Sequence, residues 1–372
     1  MADLDMNRRR FLQTGALAAV TPALAATAGE EKKEDEKKIL NHNPEMKYRR
    51  LGDTDAYFSV ISFGGLVAEE SVYNYGIDRG VNLFHTAVDY HGGESIKTLA
   101  KVLKTRRDQV YVAVKDTFKN IDDVLKILNT DHIDFYMIAR HAQNAMQDPS
   151  LFETAEKYIK QGKVRWVGLT THRDVKECVS AALEMDGFKL VMPVLNQPSL
   201  ESLTEELRKA EEKKKGIMAM KSMKGIEDAE LELAYLKKLL KNPAVTTVTK
   251  GIGTFEKLDS YIKAMNETLT GAEDMSLYRY AQSNRSRNCM MCAACESVCP
   301  QQMAICTILR CNDYYADQQQ DMRTALETYS AVPERNRTSC TSCGTCQTRC
   351  PNGIDIVDRL GKAVRRFEPN VA

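Results

Sequence analysis

The chain of 372 residues lacks the features that mark several special classes of protein. Its formal net charge is only +1 at pH 7, so no broad basic surface suggests nucleic acid as a partner. It contains one Trp, and no apolar run is as long as a transmembrane helix, so we expect no membrane span in the mature chain. These absences leave an ordinary globular protein that is long enough for one large domain and one small one.

Cysteine, in contrast, is abundant and regularly spaced. Eight of the 11 cysteines form two copies of the string C-x2-C-x2-C-x3-C-P, which is typical of bacterial [4Fe–4S] ligands. In such a string three thiolates bind one cluster, and the fourth binds the cluster of the other copy. We therefore expect two [4Fe–4S] clusters, one held by Cys289, Cys292, Cys295 and Cys350 and the other by Cys340, Cys343, Cys346 and Cys299.

Structural zinc and a disulfide framework are the alternatives for these eight cysteines. Zinc strings of the C-x2-C type usually occur as separated pairs or together with histidine. Disulfides would not require the regular spacing. The remaining cysteines, Cys178, Cys306 and Cys311, are expected to be buried thiols that pack as small hydrophobic side chains.

The N-terminal residues resemble a twin-arginine (Tat) export signal. A run of three arginines ends at Arg10 and is followed by Phe11-Leu12 and by an alanine-rich, weakly apolar stretch over residues 15–28. A disordered basic tail is the alternative. We expect residues 1–28 to be the signal, so that the mature protein is periplasmic or otherwise exported. Residues 29–46 are mostly charged or polar and are expected to form a solvated linker.

The middle of the chain alternates short β-rich runs with amphipathic helical stretches. Eight such units in roughly 200–250 residues are typical of a TIM barrel. An open doubly wound sheet is the competing fold, but no G-x-G-x-x-G follows the first run. The eight predicted strands are Val60–Gly65, Leu83–Ala87, Val110–Lys115, Phe135–Ala139, Val164–Leu169, Leu190–Leu195, Gly216–Lys221 and Thr246–Lys250.

Six segments of this region match one known family in the right order. They are Tyr48–Gly52, Phe63–Gly65, Gly80–Ala87, Asp131–Tyr136, Gly162–Leu169 and Asn242–Val245. These segments resemble the aldo/keto reductase family, and the cysteine-rich end is similar to the ferredoxin-like extension of one branch of that family. Together they imply an α/β fold, a (β/α)8 TIM barrel over residues 47–270, followed by a small, mainly helical ferredoxin-like domain over residues 271–372.

The resemblance implies four catalytic positions, of which two are kept. Members of the family reduce carbonyls with NADPH through a tyrosine acid, a lysine that lowers its pKa, an aspartate that pairs with the lysine and a histidine that orients the carbonyl. The tyrosine corresponds to Tyr90 and the lysine to Lys115, whereas the aspartate position holds His85 and the histidine position holds Ala139. His141, two residues further along the same strand, is a candidate to return an imidazole to the site.

The physical chemistry of these positions leaves several alternatives. An ammonium beside a phenol favours the phenolate, so Tyr90 remains a candidate proton donor whose pKa Lys115 is expected to lower. Asp116 follows Lys115, but strand alternation is expected to turn it to the other side of the barrel wall. A metal site formed by His85, His141 and His172 is a further alternative that the spacing does not require.

The expected nicotinamide pocket is also altered. The family holds the carboxamide with a Ser-Asn pair and a Gln, where this chain has Thr170, Thr171 and Met192. These changes put NADP(H) binding in doubt and leave the two clusters as the expected cofactors. The remaining cofactor-binding candidates, at strand ends and at the last two βα loops where phosphate often binds, are Thr170, Asn196, Lys221 and Lys250.

The sequence therefore predicts an exported iron–sulfur oxidoreductase of the aldo/keto reductase type. Its two clusters would relay electrons to or from a small-molecule substrate in the barrel mouth, and a redox partner protein is expected. One alternative is a non-catalytic electron-transfer subunit with a degenerate barrel. A cytosolic NADPH-dependent reductase with a basic tail is the other.

Overall fold

The computed structural model describes residues 39–65, 69–223 and 225–369. The predicted signal and the charged residues up to 38 lie outside this part of the chain. Within residues 39–46, predicted as the end of a solvated linker, some side chains instead contact the barrel. The Asn41 amide donates a hydrogen bond to the carbonyl of Ile77 at 2.6 Å, and Met46 is only 4% exposed. The expectation of a solvated linker is therefore wrong for Asn41 and Met46.

Eight parallel strands close into a barrel, which confirms the predicted fold. A short antiparallel hairpin, β1 (Tyr48–Arg50) with β2 (Tyr57–Ser59), precedes it. The barrel strands run in chain order, and the last strand pairs with the first to close the cylinder. They are β3 (Ile61–Phe63), β4 (Leu83–Thr86), β5 (Tyr111–Lys115), β6 (Ile133–Ala139), β7 (Val164–Thr171), β8 (Phe188–Pro193), β9 (Gly216–Ala219) and β10 (Val245–Lys250).

Amphipathic helices cover the outside of the barrel. In the helix Ile121–Leu128 the residues at positions i, i+3, i+4 and i+7 are buried, and Asn120 caps the N-terminus by accepting from the backbone N–H of Asp122 at 3.1 Å. The helices of this region are α1 (Glu70–Asp78), α2 (Glu94–Arg106), α3 (Ile121–Leu128), α4 (Glu153–Lys160), α5 (Val175–Leu183), α6 (Gln197–Ser202), α7 (Thr204–Glu212), α8 (Ala229–Lys241) and α9 (Phe255–Met265).

The hairpin closes the N-terminal end of the barrel. Phe58 is fully buried, with its ring centroid 5.1 Å from that of Tyr111 and 5.5 Å from that of Phe135. Tyr111 begins its strand, so these contacts lie at the N-terminal ends of the strands. Any opening into the barrel is therefore at the opposite end, where the active sites of TIM barrels lie.

The cysteine-rich region is mainly helical, as predicted, and packs with the barrel in one compact unit. A π-helix, Arg310–Gln318, continues directly from the helix Ile305–Leu309 and connects it to the helix Met322–Ser330. In the described part of the chain, no helix is both long and apolar enough to cross a membrane. The helices are α10 (Gly271–Asn284), α11 (Ile305–Leu309), α12 (Met322–Ser330), α13 (Glu334–Thr338), α14 (Thr345–Thr348) and α15 (Ile356–Phe367).

Candidate functional site

A cavity lies at the C-terminal ends of the barrel strands. The barrel contributes His85, Tyr90 and His172 to its wall. The cysteine-rich region contributes Tyr314 and Tyr315, which lie in the π-helix. The mouth of the barrel is thus walled by both parts of the chain, which the sequence alone did not indicate.

The structure brings three of the predicted catalytic residues together. His85 lies within β4, Tyr90 begins the helical turn that follows this strand, and Lys115 ends β5. The ring centroids of His85 and Tyr90 are 5.8 Å apart, and the Lys115 Nζ lies 5.9 Å from the centre of the Tyr90 ring. A Cβ atom on Gly65 would lie 2.1 Å from the Tyr90 ring, so only glycine at this position leaves space for the ring.

Burial dominates the ionisation of this group. The pKa of Tyr90 is raised well above its usual value by burial and then by Tyr315, Asp89 and Tyr314. Burial also lowers the pKa of Lys115. Tyr90 is therefore a protonated phenol at neutral pH, which can donate a hydrogen bond or a proton but is not poised to ionise.

Asp116 does not take the place of the missing aspartate. Its Oδ1 atom accepts from the backbone N–H of Ala139 at 2.8 Å, and its Oδ2 atom accepts from Arg140 at 3.4 Å. The carboxylate is therefore engaged with β6 and its end, so Lys115 has no direct counterpart of the family's lysine–aspartate pair.

Three imidazoles near the mouth are neutral at pH 7. Burial, followed by the charge of Lys115, lowers the pKa of His85 to about 3. Burial, followed by Arg310 and then Lys115, lowers the pKa of His141 to about 3. Burial, followed by the charges of Lys221 and Arg310, lowers the pKa of His172 well below its usual value. Each imidazole can therefore act only as a neutral donor or acceptor.

His141 contacts His172 rather than Tyr90. Its Nδ1 atom accepts from the backbone N–H of His172 at 3.1 Å, and the two ring centroids are 5.3 Å apart. Among the described residues, no three His, Cys, Asp or Glu side chains lie close enough together to hold a single metal ion. His172, which the sequence did not favour as a site residue, lines the cavity.

Mild acid is expected to destabilise the folded protein through these imidazoles. An unfolded histidine takes up a proton near pH 6.5, whereas His85 and His141 do so only near pH 3 when folded. The unfolded state therefore binds more protons below about pH 6.5, and the free energy of unfolding falls by about 1.4 kcal/mol per pH unit for each imidazole. Unfolding of cluster-loaded protein between pH 7.5 and pH 5, with iron content monitored, measures this slope.

The matched variants are His85→Gln and His42→Gln. The first removes one buried imidazole, so the slope should decrease by about one proton. The second changes an exposed side chain and is the control for a histidine-to-glutamine substitution. Equal slopes for both variants and the parent would contradict neutral burial of His85.

Two of the residues expected to bind a cofactor phosphate are already engaged. The Lys221 Nζ lies 3.8 Å from the centre of the Tyr314 ring and 5.2 Å from that of Tyr315. Lys250 forms an ion pair with Glu232 at 2.8 Å. Burial acts to raise the pKa of Glu232, but Lys250 and further hydrogen bonds outweigh it, so the net pKa is lowered.

The other two predicted cofactor residues are buried away from solvent. The Thr170 hydroxyl lies 3.9 Å from the sulfur of Met220. Asn196 caps α6, where its Oδ1 atom accepts from Ser199 at 3.1 Å, and its Nδ2 donates to the carbonyl of Cys289 at 3.4 Å. Asn196 therefore joins the barrel to the cysteine-rich region.

The eight regularly spaced cysteines surround two separate cavities. Cavity 1 is lined by Cys289, Cys292, Cys295 and Cys350. Cavity 2 is lined by Cys299, Cys340, Cys343 and Cys346. Each cavity thus collects three cysteines of one string and the fourth of the other. All 11 cysteines are free thiols in this structure.

The two ligand loops share an unusual backbone conformation. Met291 and Ala293 in the first loop have positive φ angles of 60° and 56°, and Ser342 and Gly344 at the corresponding positions of the second have 56° and 74°. Such left-handed turns direct backbone N–H groups inward, as in anion-binding nests at iron–sulfur sites. The N–H of Met291 lies 3.4 Å from the sulfur of Cys289. The donor set and its backbone therefore fit a pair of [4Fe–4S] clusters.

Cavity 1 has a fifth thiol that the sequence did not indicate. Cys306 lines it, and its thiol is hydrogen-bonded with Cys289 and Cys295. The backbone N–H of Cys306 donates to Glu296 at 2.7 Å, and Glu296 pairs with Arg173 of the barrel at 2.6 Å. No ligand string has this spacing, so only the fold could have revealed the position of Cys306.

Two family models match the chain. The model of the aldo/keto reductase family matches residues 68–227, and the model of the 4Fe-4S dicluster domain matches residues 285–354. The chain is therefore an oxidoreductase with an aldo/keto reductase domain. Its dicluster domain makes it an iron–sulfur oxidoreductase, with iron–sulfur clusters as cofactors.

Solved structures of similar fold are aldo-keto reductases. One from Klebsiella pneumoniae in complex with NADPH superimposes with a TM-score of 0.53 at 19% identity, covering 63% of this chain and 95% of that chain. The holo form of one from Bacillus halodurans has a TM-score of 0.51 at 19% identity, covering 63% of this chain and 96% of that chain. At this level of identity the likeness establishes the barrel fold.

Proposed function

We propose that this protein is an exported oxidoreductase that binds a small-molecule substrate in the barrel mouth and exchanges electrons with it through two [4Fe–4S] clusters. The observation that carries the proposal is the shared wall of the mouth cavity, to which the dicluster domain contributes Tyr314 and Tyr315 beside Tyr90. One helical segment connects that wall to cavity 1. Cys306 and Tyr314 are eight residues apart along it, which would correspond to a rise of about 12 Å in an α-helix and to less across the π-helical part.

The barrel residues have separate roles in this proposal. Tyr90 supplies a proton to, or accepts a hydrogen bond from, the substrate oxygen, and its raised pKa is compatible with protonating a strongly basic alkoxide. Lys115 adds positive charge near the developing oxyanion. His85 is a neutral hydrogen-bonding group that orients the substrate.

The clusters supply single electrons when bound. Two bound clusters would supply the two electrons that reduce a carbonyl to an alcohol, and the two protons would come from Tyr90 and from solvent. Cys343 of cavity 2 is exposed, whereas Cys289 of cavity 1 is buried and contacts Asn196 of the barrel through its carbonyl. Cavity 2 would therefore face a redox partner protein, and cavity 1 would lie on the side of the barrel.

The proposal assigns no role to NADP(H). Lys250 is paired with Glu232, Tyr314 covers Lys221, and Met192 stands where the family has a glutamine. The first two contacts occupy lysines that could otherwise bind the cofactor phosphate. Met192 lacks the amide with which the family's glutamine holds the carboxamide.

An anaerobic titration tests this assignment. Cluster-loaded protein reduced with dithionite is expected to be reoxidised by small carbonyl compounds, with loss of reduced-cluster EPR signal, and NADPH is expected neither to bind saturably nor to reduce the oxidised clusters. Carbonyl reduction driven by NADPH at ordinary enzymatic rates would contradict the proposal.

A second candidate is a non-catalytic electron-transfer subunit. The replacement of the family's aspartate and histidine by His85 and Ala139, together with the raised pKa of Tyr90, favours it. The two candidates differ in one measurable respect. In an electron-transfer subunit, small carbonyls would leave the reduced clusters unchanged, whereas a protein partner would still oxidise them.

Export through the Tat route is part of the proposal and is supported by the arginine run before Phe11-Leu12. Changing Arg9 and Arg10 together to lysine is expected to retain the protein in the cytoplasm. Cell fractionation measures the distribution, and an Arg79→Lys change in the barrel is the control. Equal export of both forms would contradict this part of the proposal.

A further inference from the structure

We propose that the Cys306 thiol donates a hydrogen bond to a ligand sulfur of the cluster in cavity 1 and thereby raises the reduction potential of that cluster. Cys306 would thus be a hydrogen-bond donor to the cluster and not one of its ligands. The inference rests on the four cysteines that line cavity 1 with it, and it does not depend on the substrate of the barrel mouth.

Cavity 1 has one thiol more than a cubane cluster requires. A [4Fe–4S] cluster takes four cysteine thiolates, and the crossed set of three cysteines from the first string and Cys350 supplies them. Cys306 lines the same cavity and is only 2% exposed. Its thiol is hydrogen-bonded with Cys289 and Cys295. A fifth sulfur is therefore held beside two of the ligands without being needed as a ligand.

The chemistry of the thiol fixes the direction of this hydrogen bond. A cysteine that binds a metal is a thiolate, which has no proton and can only accept. A further buried negative charge beside the thiolates would be costly, so Cys306 keeps its proton. Its S–H group is a weak donor. When the cluster is bound, Cys306 therefore donates to Cys289 or Cys295.

No other side chain in the described lining of cavity 1 is available to donate in its place. Asn352 is the remaining polar side chain there. Its Nδ2 atom donates to the carbonyl of Asn288 at 2.7 Å, and its Oδ1 atom accepts from Arg285 at 3.3 Å. The other described lining residues have apolar side chains: Met290, Ala293, Leu309, Pro351, Ile354 and Ile356.

Backbone contacts hold Cys306 at the cavity. Its N–H donates to Glu296 at 2.7 Å, and Glu296 pairs with Arg173 of the barrel at 2.6 Å. Because this anchor uses the backbone of Cys306, it is expected to persist when the side chain is changed. A substitution of the thiol therefore tests the donor itself.

The two cavities are built from equivalent positions and differ at the position of Cys306. Each cysteine of the first string corresponds to the cysteine 51 residues later in the second string. The same shift relates Leu309, which lines cavity 1, to Leu360, which lines cavity 2. It relates Cys306 to Val357, which also lines cavity 2. Cavity 2 thus has an apolar side chain where cavity 1 has a thiol.

A donor at this position changes the relative stability of the two oxidation states. The reduced cluster carries one more negative charge than the oxidised cluster, so a hydrogen bond to a ligand sulfur stabilises the reduced state more. Hydrogen bonds to the sulfurs are among the factors that set the potentials of iron–sulfur clusters. Cys306 would therefore favour an electron on the cluster of cavity 1, on the side of the barrel.

An anaerobic potentiometric titration followed by EPR tests the inference on cluster-loaded protein. In Cys306→Val, the ratio of reduced to oxidised cluster 1 at a given potential is expected to fall at least about threefold, a shift of about 28 mV for one electron. The cluster of cavity 2 should keep its potential. The signal of cluster 1 is identified as the one that Cys292→Ala lacks.

Three further variants separate donation from packing. Cys306→Ser keeps a donor and should hold the potential of cluster 1 at or above that of the parent. Val357→Cys introduces the thiol at the equivalent position and should raise the potential of the cluster in cavity 2. Cys311→Ala removes a buried thiol that is not among the described residues lining either cavity, and should leave both potentials unchanged.

Two results would overturn the inference. The first is a potential of cluster 1 that is unchanged in Cys306→Val, or lowered equally in Cys306→Val and Cys306→Ser. The second is loss of about half the iron from both of these variants, because Cys306 would then be a ligand. If the Cys306 variants do not fold, an unchanged potential of the second cluster in Val357→Cys decides against it. The readout is a potential, so a failure here leaves the proposed reaction at the barrel mouth untouched.

Discussion

Substitution of Cys350 by alanine is expected to remove the cluster in cavity 1 and to leave the cluster in cavity 2. Cys350 belongs to the second string but lines the cavity with Cys289, Cys292 and Cys295. A [4Fe–4S] cluster that loses one of its four thiolates is poorly held, so the purified protein should contain about half the iron of the parent. Iron analysis and EPR of the reduced protein measure the loss.

Because each string gives its fourth cysteine to the other cavity, specific pairs of variants are expected to share the spectrum of the remaining cluster. Cys350→Ala and Cys292→Ala should retain the same residual cluster spectrum, whereas Cys299→Ala and Cys343→Ala should retain the other. If each string instead bound its own cluster, Cys350→Ala would resemble Cys343→Ala. Cys178→Ala, which changes a buried thiol on α5 in the barrel, is the control and should keep the full iron content.

Substitution of Tyr90 by phenylalanine is expected to reduce substrate-dependent oxidation of the clusters by about 100-fold or more. The change removes the only proposed proton donor at the substrate oxygen, and general acid catalysis typically contributes 10²–10⁴-fold. The phenyl ring keeps the packing against Gly65, so folding and iron content should be retained. Stopped-flow absorbance of reduced protein mixed with pyruvate or a small aldehyde measures the rate.

The control for Tyr90→Phe is Tyr75→Phe. The Tyr75 hydroxyl donates to Asp259 between α1 and α9 on the outside of the barrel, at 2.9 Å, and should not affect the rate. The parent rate should also show no titration of Tyr90 below about pH 10, because burial raises the pKa of this phenol. An unchanged rate in Tyr90→Phe would exclude the catalytic proposal and favour an electron-transfer subunit.

Much of the barrel was predictable because its signal is local. Each strand is a short run of β-branched and apolar residues, and each predicted strand overlaps an observed one, as Val164–Leu169 does with Val164–Thr171. The helix Ile121–Leu128 has a similarly local basis, because its buried residues follow helical spacing and Asn120 caps its N-terminus. The end of the linker was misjudged because Asn41 and Met46 gain their partners only from helix α1 and the strands around it.

The candidate site was less predictable because its properties depend on distant residues. Tyr90, Lys115 and His85 were identified from the family resemblance, and they do lie together. Their pKa shifts could not be predicted from the sequence in the same way. Tyr314, Tyr315 and Arg310, which influence the pKa of Tyr90, come from a region more than 190 residues further along the chain. The same holds for Lys250, whose ion pair with Glu232 is a contact between separate elements.

The sequence by itself determined the two ligand strings and the order of eight βα units, since both depend on the spacing of residue types along the chain. Only the tertiary structure decided what the barrel mouth contains. Packing of the π-helix over the strand ends brings Tyr314 and Tyr315 to the cavity, and burial there keeps the imidazoles neutral and raises the pKa of Tyr90. Desolvation and long-range charge depend on three-dimensional proximity, which residue spacing along the chain does not encode.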